Sequence, residues 1–160
     1  MVIVLLTIKQ SSKQSSNQAI KFPQIMKEKI LDQMKKSPPQ FLKDMGCEIT
    51  HVDAEKGICE MDFLIDERYC HSGDIIQGGF VTAMLDAVTT FATFGTNKIK
   101  YLASLEVKVN FYEASRAGKF HAIGRIDRMG KSTVFLSGDL FNETGERTAS
   151  ISTTAKIGLI

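Results

Sequence analysis

Cysteine is scarce in this chain. Cys47, Cys59 and Cys70 are the whole complement, an odd number with no C-x-x-C spacing. A disulfide framework and the usual zinc patterns are therefore excluded. With no recognisable secretion signal, the thiols read as reduced and the protein as cytoplasmic. Net charge is small too, +2 from 20 basic and 18 acidic side chains. The basic residues are dispersed and form no aromatic-rich groove, so nucleic acid is not an expected partner. Uncharged apolar runs of bilayer-spanning length are also missing. Residues 1–8 are apolar but far too few to span a bilayer, and no membrane partner is expected. What remains is the composition of one globular domain, with 160 residues to supply a sizeable core.

Residues 1–20 turn polar after the first eight and show no periodicity, so they are expected to form a flexible tail. Residues 21–160 then make one domain. Within 23–36, Ile25, Met26, Ile30 and Met34 share a helical face. Pro38-Pro39 ends that helix and starts a second through Phe41, Leu42 and Met45, closed by Gly46. N-terminal helices thus occupy 23–46, and the core runs from 47 to 157. From Cys47 the period becomes two, and two runs flanking Glu55-Lys56-Gly57 predict a hairpin.

A long apolar helix follows, from about 77 to 96. Beyond it the chain alternates. Leu105, Val107, Val109 and Phe111 oppose Glu106, Lys108 and Asn110, then Phe120, Ala122, Gly124 and Ile126 oppose their neighbours. Strands at 133–141 and 147–157 complete the series, joined by short turns. The expected fold class is α+β, a curved antiparallel sheet wrapped around one long helix. That helix is apolar around most of its circumference, so a homo-oligomeric partner is expected to complete its cover.

The helix opens on Gly78-Gly79 and carries a single charge, Asp86. A helix start presents unpaired N–H groups and a positive dipole end, which can hold a negative oxygen. A lone carboxylate two turns on calls for a chemical role or a structural bonding partner, and both readings stand. At 100° per residue, Thr82, Asp86, Thr89 and Thr93 fall on one narrow stripe. The stripe fits a site bordering an acyl tunnel, or a polar seam against a partner helix.

The stretch His71-Ser-Gly73-Asp-Ile-Ile-Gln77-Gly78-Gly79, with Asp86 eight residues beyond Gly78, resembles the motif of the hotdog-fold acyl-CoA thioesterases, of the phenylacetate-pathway and human thioesterase-superfamily type. The family pattern is Asn-x-x-Gly-x-x-His-Gly-Gly followed by Asp, so His71 replaces the usual Asn and Gln77 the usual His. The likeness runs from about 47 to 157 and includes the segment from Ser104 to Tyr112.

The resemblance implies hydrolysis of an acyl-CoA without metal or other cofactor. Asp86 would act as base or nucleophile, Gly78 N–H would polarise the thioester oxygen, and Gln77 and His71 would orient the substrate. Ser104 would help place the water, and the site would be shared between subunits of a dimer or dimer of dimers. Gly79, Thr82, Thr89 and Thr90 are candidate substrate contacts along the helix. Lys131, in a turn, is a candidate for coenzyme A phosphates, although solvated turn charges are the commoner case. Two alternatives fit the same residues: a dehydratase or hydratase acting on a β-hydroxyacyl thioester through His71 and Asp86, and a non-catalytic acyl-CoA-binding module.

Overall fold

The computed structural model describes residues 36–96 and 99–159, together with Asp32. The expected tail and most of the first N-terminal helix lie outside these residues. The second helix is present as α1 (Gln40–Asp44). Gly46 closes it at φ 59°, with Cys47 N–H donating to the Leu42 carbonyl and Gly46 N–H to that of Lys43. This left-handed termination is one that glycine adopts without strain.

The predicted hairpin is β1 (Glu48–Asp53) and β2 (Ile58–Ile65). Asp53 Oδ1 accepts the Glu55 and Lys56 N–H groups and so fixes the turn. Beyond a 3-10 turn (Glu67–Tyr69), β3 (Cys70–Ser72) and β4 (Ile75–Ile76) form a small separate ribbon, which the sequence pattern did not predict. The long helix is α2 (Gly78–Phe94), followed by β5 (Ile99–Phe111), β6 (Gly118–Met129), β7 (Thr133–Asn142) and β8 (Arg147–Leu159). The main sheet has the order β1-β2-β6-β7-β8-β5, every pair antiparallel.

Alternation sorts the strands onto the helix. Cys59, Met61, Phe63 and Ile65 of β2, Val134, Leu136 and Leu140 of β7, and Ala149, Ile151 and Ile157 of β8 are buried. Val81, Met84, Leu85, Val88 and Ala92 of α2 fill the space above them. This is the predicted α+β arrangement, with the sheet wrapped on one helix.

β5 departs from the predicted pattern. It begins at Ile99, and its register against β8 shifts between Ser104, opposite Ala155, and Glu106, opposite Thr154. Leu105 is thus an extra residue, a β-bulge. Simple alternation would place Ser104 on the outer face with Glu106. The bulge instead puts Ser104 on the inner face with Val107 and Val109, opposite buried Ala155, Thr153 and Ile151.

Candidate active site

α2 is deeply buried over its second half, but its first turns are open along one line. Gly79, Thr82, Ala83 and Asp86 keep partial or full exposure, while Val81, Met84, Leu85 and Ala87 are buried. Spacing of three and four residues makes this one face. It looks toward β5, an edge strand of the sheet. At one end, a methyl added to Gly78 would fall 3.3 Å from Phe111 Cζ. At the other, Ser104 Oγ donates to Asp86 Oδ1 at 3.2 Å. The start of α2 and Asp86 therefore both face β5, Gly78 toward Phe111 and Asp86 toward Ser104.

The start of α2 is held from outside the helix. Gln77 N–H donates to the Tyr69 carbonyl and Ile76 N–H to that of Ser115, and the Tyr69 and Phe80 rings meet edge to face at 4.9 Å. Gln77 occupies the N-cap position and its side chain makes no capping hydrogen bond. Glutamine reaches too far to fold back as serine or aspartate does. Among the described residues, no side chain caps the first-turn amides.

The threonines of the stripe bond to their own helix. Thr82 donates to the Gly78 carbonyl at 2.9 Å, Thr89 to those of Leu85 and Asp86, and Thr93 to that of Thr90. Thr89 and Thr90 are buried, and the Thr89 methyl packs over Gly138. Only Thr82 of these three candidates borders the open line.

Among the described residues, neither His71 nor Lys131 bonds to Asp86. His71, on β3, is exposed and its Nδ1 lies 2.8 Å from Ser72 Oγ. Lys131 is exposed in the β6–β7 turn, separated from β5 by β8. His121 occupies the outer face, bonded to Asp62. Among the described residues no cluster of His, Cys, Asp and Glu could hold a metal ion. No described helix is long and apolar enough to cross a membrane.

The thiols have ordinary structural surroundings. Burial, with smaller contributions from Asp62 and Glu48, pushes the Cys47 thiol up to about 12. Burial raises Cys59 further. Neither can serve as a thiolate near neutral pH.

One residue escaped the sequence reading. Thr153, on the inner face of β8, is buried, and its hydroxyl has no hydrogen-bond partner among the described residues. Nothing in the alternation distinguishes a threonine in such a place from an ordinary β-branched core residue.

Residues 73–149 match the Thioesterase superfamily. The Saccharolobus solfataricus protein named "Putative esterase SSO1253" is 30% identical over 80 residues, covering 50% of this chain and 53% of that protein. The chain thus matches about half the length of that relative. Among solved structures, a phenylacetic acid degradation-related protein of Ralstonia eutropha JMP134 superposes with a TM-score of 0.72 at 25% identity, over 79% of this chain and 98% of that one. The smu.793 protein of Streptococcus mutans UA159, solved bound to acetyl CoA, gives 0.65 at 14% identity, over 71% of this chain and 89% of that one. The resemblance to the hotdog-fold thioesterases is borne out, and the fold is the hotdog fold.

Proposed function

We propose that this chain, with residues 73–149 matching the Thioesterase superfamily, is an acyl-CoA thioesterase that works as a homo-oligomer. The observation that carries the reading is Asp86, the one charged side chain of α2, half-buried where the helix faces β5 and bonded by Ser104. A coenzyme A thioester bound by a structural neighbour supports the ligand class.

The spacing of the two key groups supports a shared site. Gly78 and Asp86 are eight residues apart on one helix, or about 12 Å at 1.5 Å per residue. The oxygen and carbon of a carbonyl are only about 1.2 Å apart. One thioester therefore cannot take its oxyanion donor and its base from the same helix. A second copy packed against the first would supply the other group. β5 offers the surface: Leu105, Val107 and Phe111 are 65%, 40% and 54% exposed on an edge strand with unpaired backbone groups.

In the proposed reaction the thioester oxygen accepts from Gly78 N–H, aided by the helix dipole. Asp86 takes a proton from water as the water oxygen bonds to the carbonyl carbon. The carbon–sulfur bond then breaks, and the coenzyme A thiolate receives the proton from Asp86. Neither metal nor redox cofactor enters this chemistry. The dehydratase alternative needs His71 beside Asp86, whereas within the protomer His71 bonds its neighbour Ser72.

The test is thiol release from short, medium, long and aryl acyl-CoA substrates by the parent and Asp86→Asn. Parent turnover is expected to exceed that of the variant by about 10² to 10⁴, the range for a positioned acid–base group. Equal turnover rejects the assignment. Tight acyl-CoA binding by the parent without thiol release supports a binding module instead.

A further inference from the structure

We propose that Thr153 is a positioning residue for the hydrolytic water, an inference that rests on the thioesterase reading above. Among the described residues, its Oγ1 is the only fully buried side-chain nitrogen or oxygen without a hydrogen-bond partner. The residue as a whole is 4% exposed. Thr89 and Thr93 donate to helix carbonyls, and Thr148 accepts from the Ser115 hydroxyl. A strand offers no such local acceptor, because its carbonyls lie in the plane of the sheet. Valine has the same shape without the hydroxyl, so packing alone gives no reason for threonine here.

Register places this hydroxyl on the inner face of the sheet. Thr153 pairs with Val107 and lies two residues from Ala155, which pairs with Ser104 across the Leu105 bulge. Diagonal neighbours on one face of a regular antiparallel pair lie roughly 7 to 8 Å apart, a gap that serine and threonine close only through a bridging group. Ser104 in turn bonds Asp86. The helix above is located independently, since a methyl on Gly138 would touch both Thr89 and Ile151, the inward neighbour of Thr153 on β8. Thr153 therefore lies under the stretch of α2 that carries Asp86.

A water held against the bonded Asp86–Ser104 pair gives the Thr153 hydroxyl its missing acceptor. Donation by Thr153 to one lone pair of that water, and acceptance by Asp86 of one of its protons, leaves the second lone pair aimed at the carbonyl carbon. Unsatisfied buried groups of this kind are found where function outweighs packing.

The experiment compares parent, Thr153→Val and Thr153→Ser for acyl-CoA thiol release and for melting temperature. The expected Thr153→Val protein melts a few degrees higher, because the stranded hydroxyl is gone. Its kcat is expected to fall about tenfold or more with KM within about twofold, as for an interaction made in the transition state. Thr153→Ser should recover most of the kcat. An active parent with unchanged kcat in Thr153→Val overturns this inference alone. So does a loss of kcat in Thr153→Val that is accompanied by a lower melting temperature and no recovery in Thr153→Ser. A parent that releases no thiol from any acyl-CoA overturns this inference together with the thioesterase reading.

Discussion

The backbone of Val88 on α2 rests on Gly124 of β6, so closely that a methyl on Gly124 would come 2.5 Å from the Val88 carbonyl oxygen. No rotamer change relieves a clash with backbone. Gly124→Ala is expected to lose about 1 to 3 kcal/mol or more, as overpacked cores do. Gly79, by contrast, has nothing within 4 Å of an added methyl. Gly79→Ala should hold or gain stability, by up to about 1 kcal/mol. Chemical denaturation of both variants checks the contrast, and equal midpoints would disprove the close approach.

Ser104→Ala removes the hydrogen bond to Asp86 and nothing else that is visible in the core. A hydrogen bond to a charged group is worth roughly 1.5 to 3 kcal/mol. If most of that is expressed in turnover, kcat falls about 10- to 100-fold while the fold persists. Steady-state kinetics beside circular dichroism separates this outcome from unfolding.

The buried thiols set an alkaline limit. Cys47 and Cys59 ionise in the folded protein only far above an exposed thiol, which titrates near 8.5. Both folded values are raised, so the stability they contribute is complete below about pH 8.5 and declines as pH climbs through the unfolded value toward 12. Unfolding free energy measured between pH 8 and pH 11 should fall, and Cys59→Ala should flatten the slope. An unchanged slope would remove burial of Cys59 as its cause.

The apolar edge offers a test of assembly. Leu105→Lys places an ammonium on the most exposed large apolar side chain of β5. Sedimentation velocity should show a shift toward monomer, with thioesterase activity lost in parallel if subunits share the site. An active monomer would refute the shared arrangement.

Much of this fold was legible because period and punctuation agree. The Gly46 stop, the Glu55-Lys56-Gly57 turn and the alternating run Phe120, Ala122, Gly124 read directly from the sequence, whereas the hold of Asp53 on that turn did not. The path of β5 did not, because one surplus residue inverts the phase of everything before it. Ser104 drew attention only through the family resemblance, although its neighbours alone would have assigned it to the outer face. Thr153 was silent for another reason. Whether a hydroxyl has an acceptor depends on strands brought together across more than forty residues, as Ser104 and Ala155 are. The threonines of α2 gave a polar stripe on a helical wheel, yet their bonds to their own helix decide how much of that polarity is left free.

The uncapped beginning of α2 has a cost and a use. Replacing Gln77 by aspartate or serine would tether the loose first-turn amides and steady the helix by about 1 kcal/mol. The same oxygen would then sit where the proposed mechanism puts the acyl oxygen, as a built-in competitor. A sturdier protein obtained in this way should be a poorer hydrolase, which makes position 77 a place where folding and turnover pull in opposite directions.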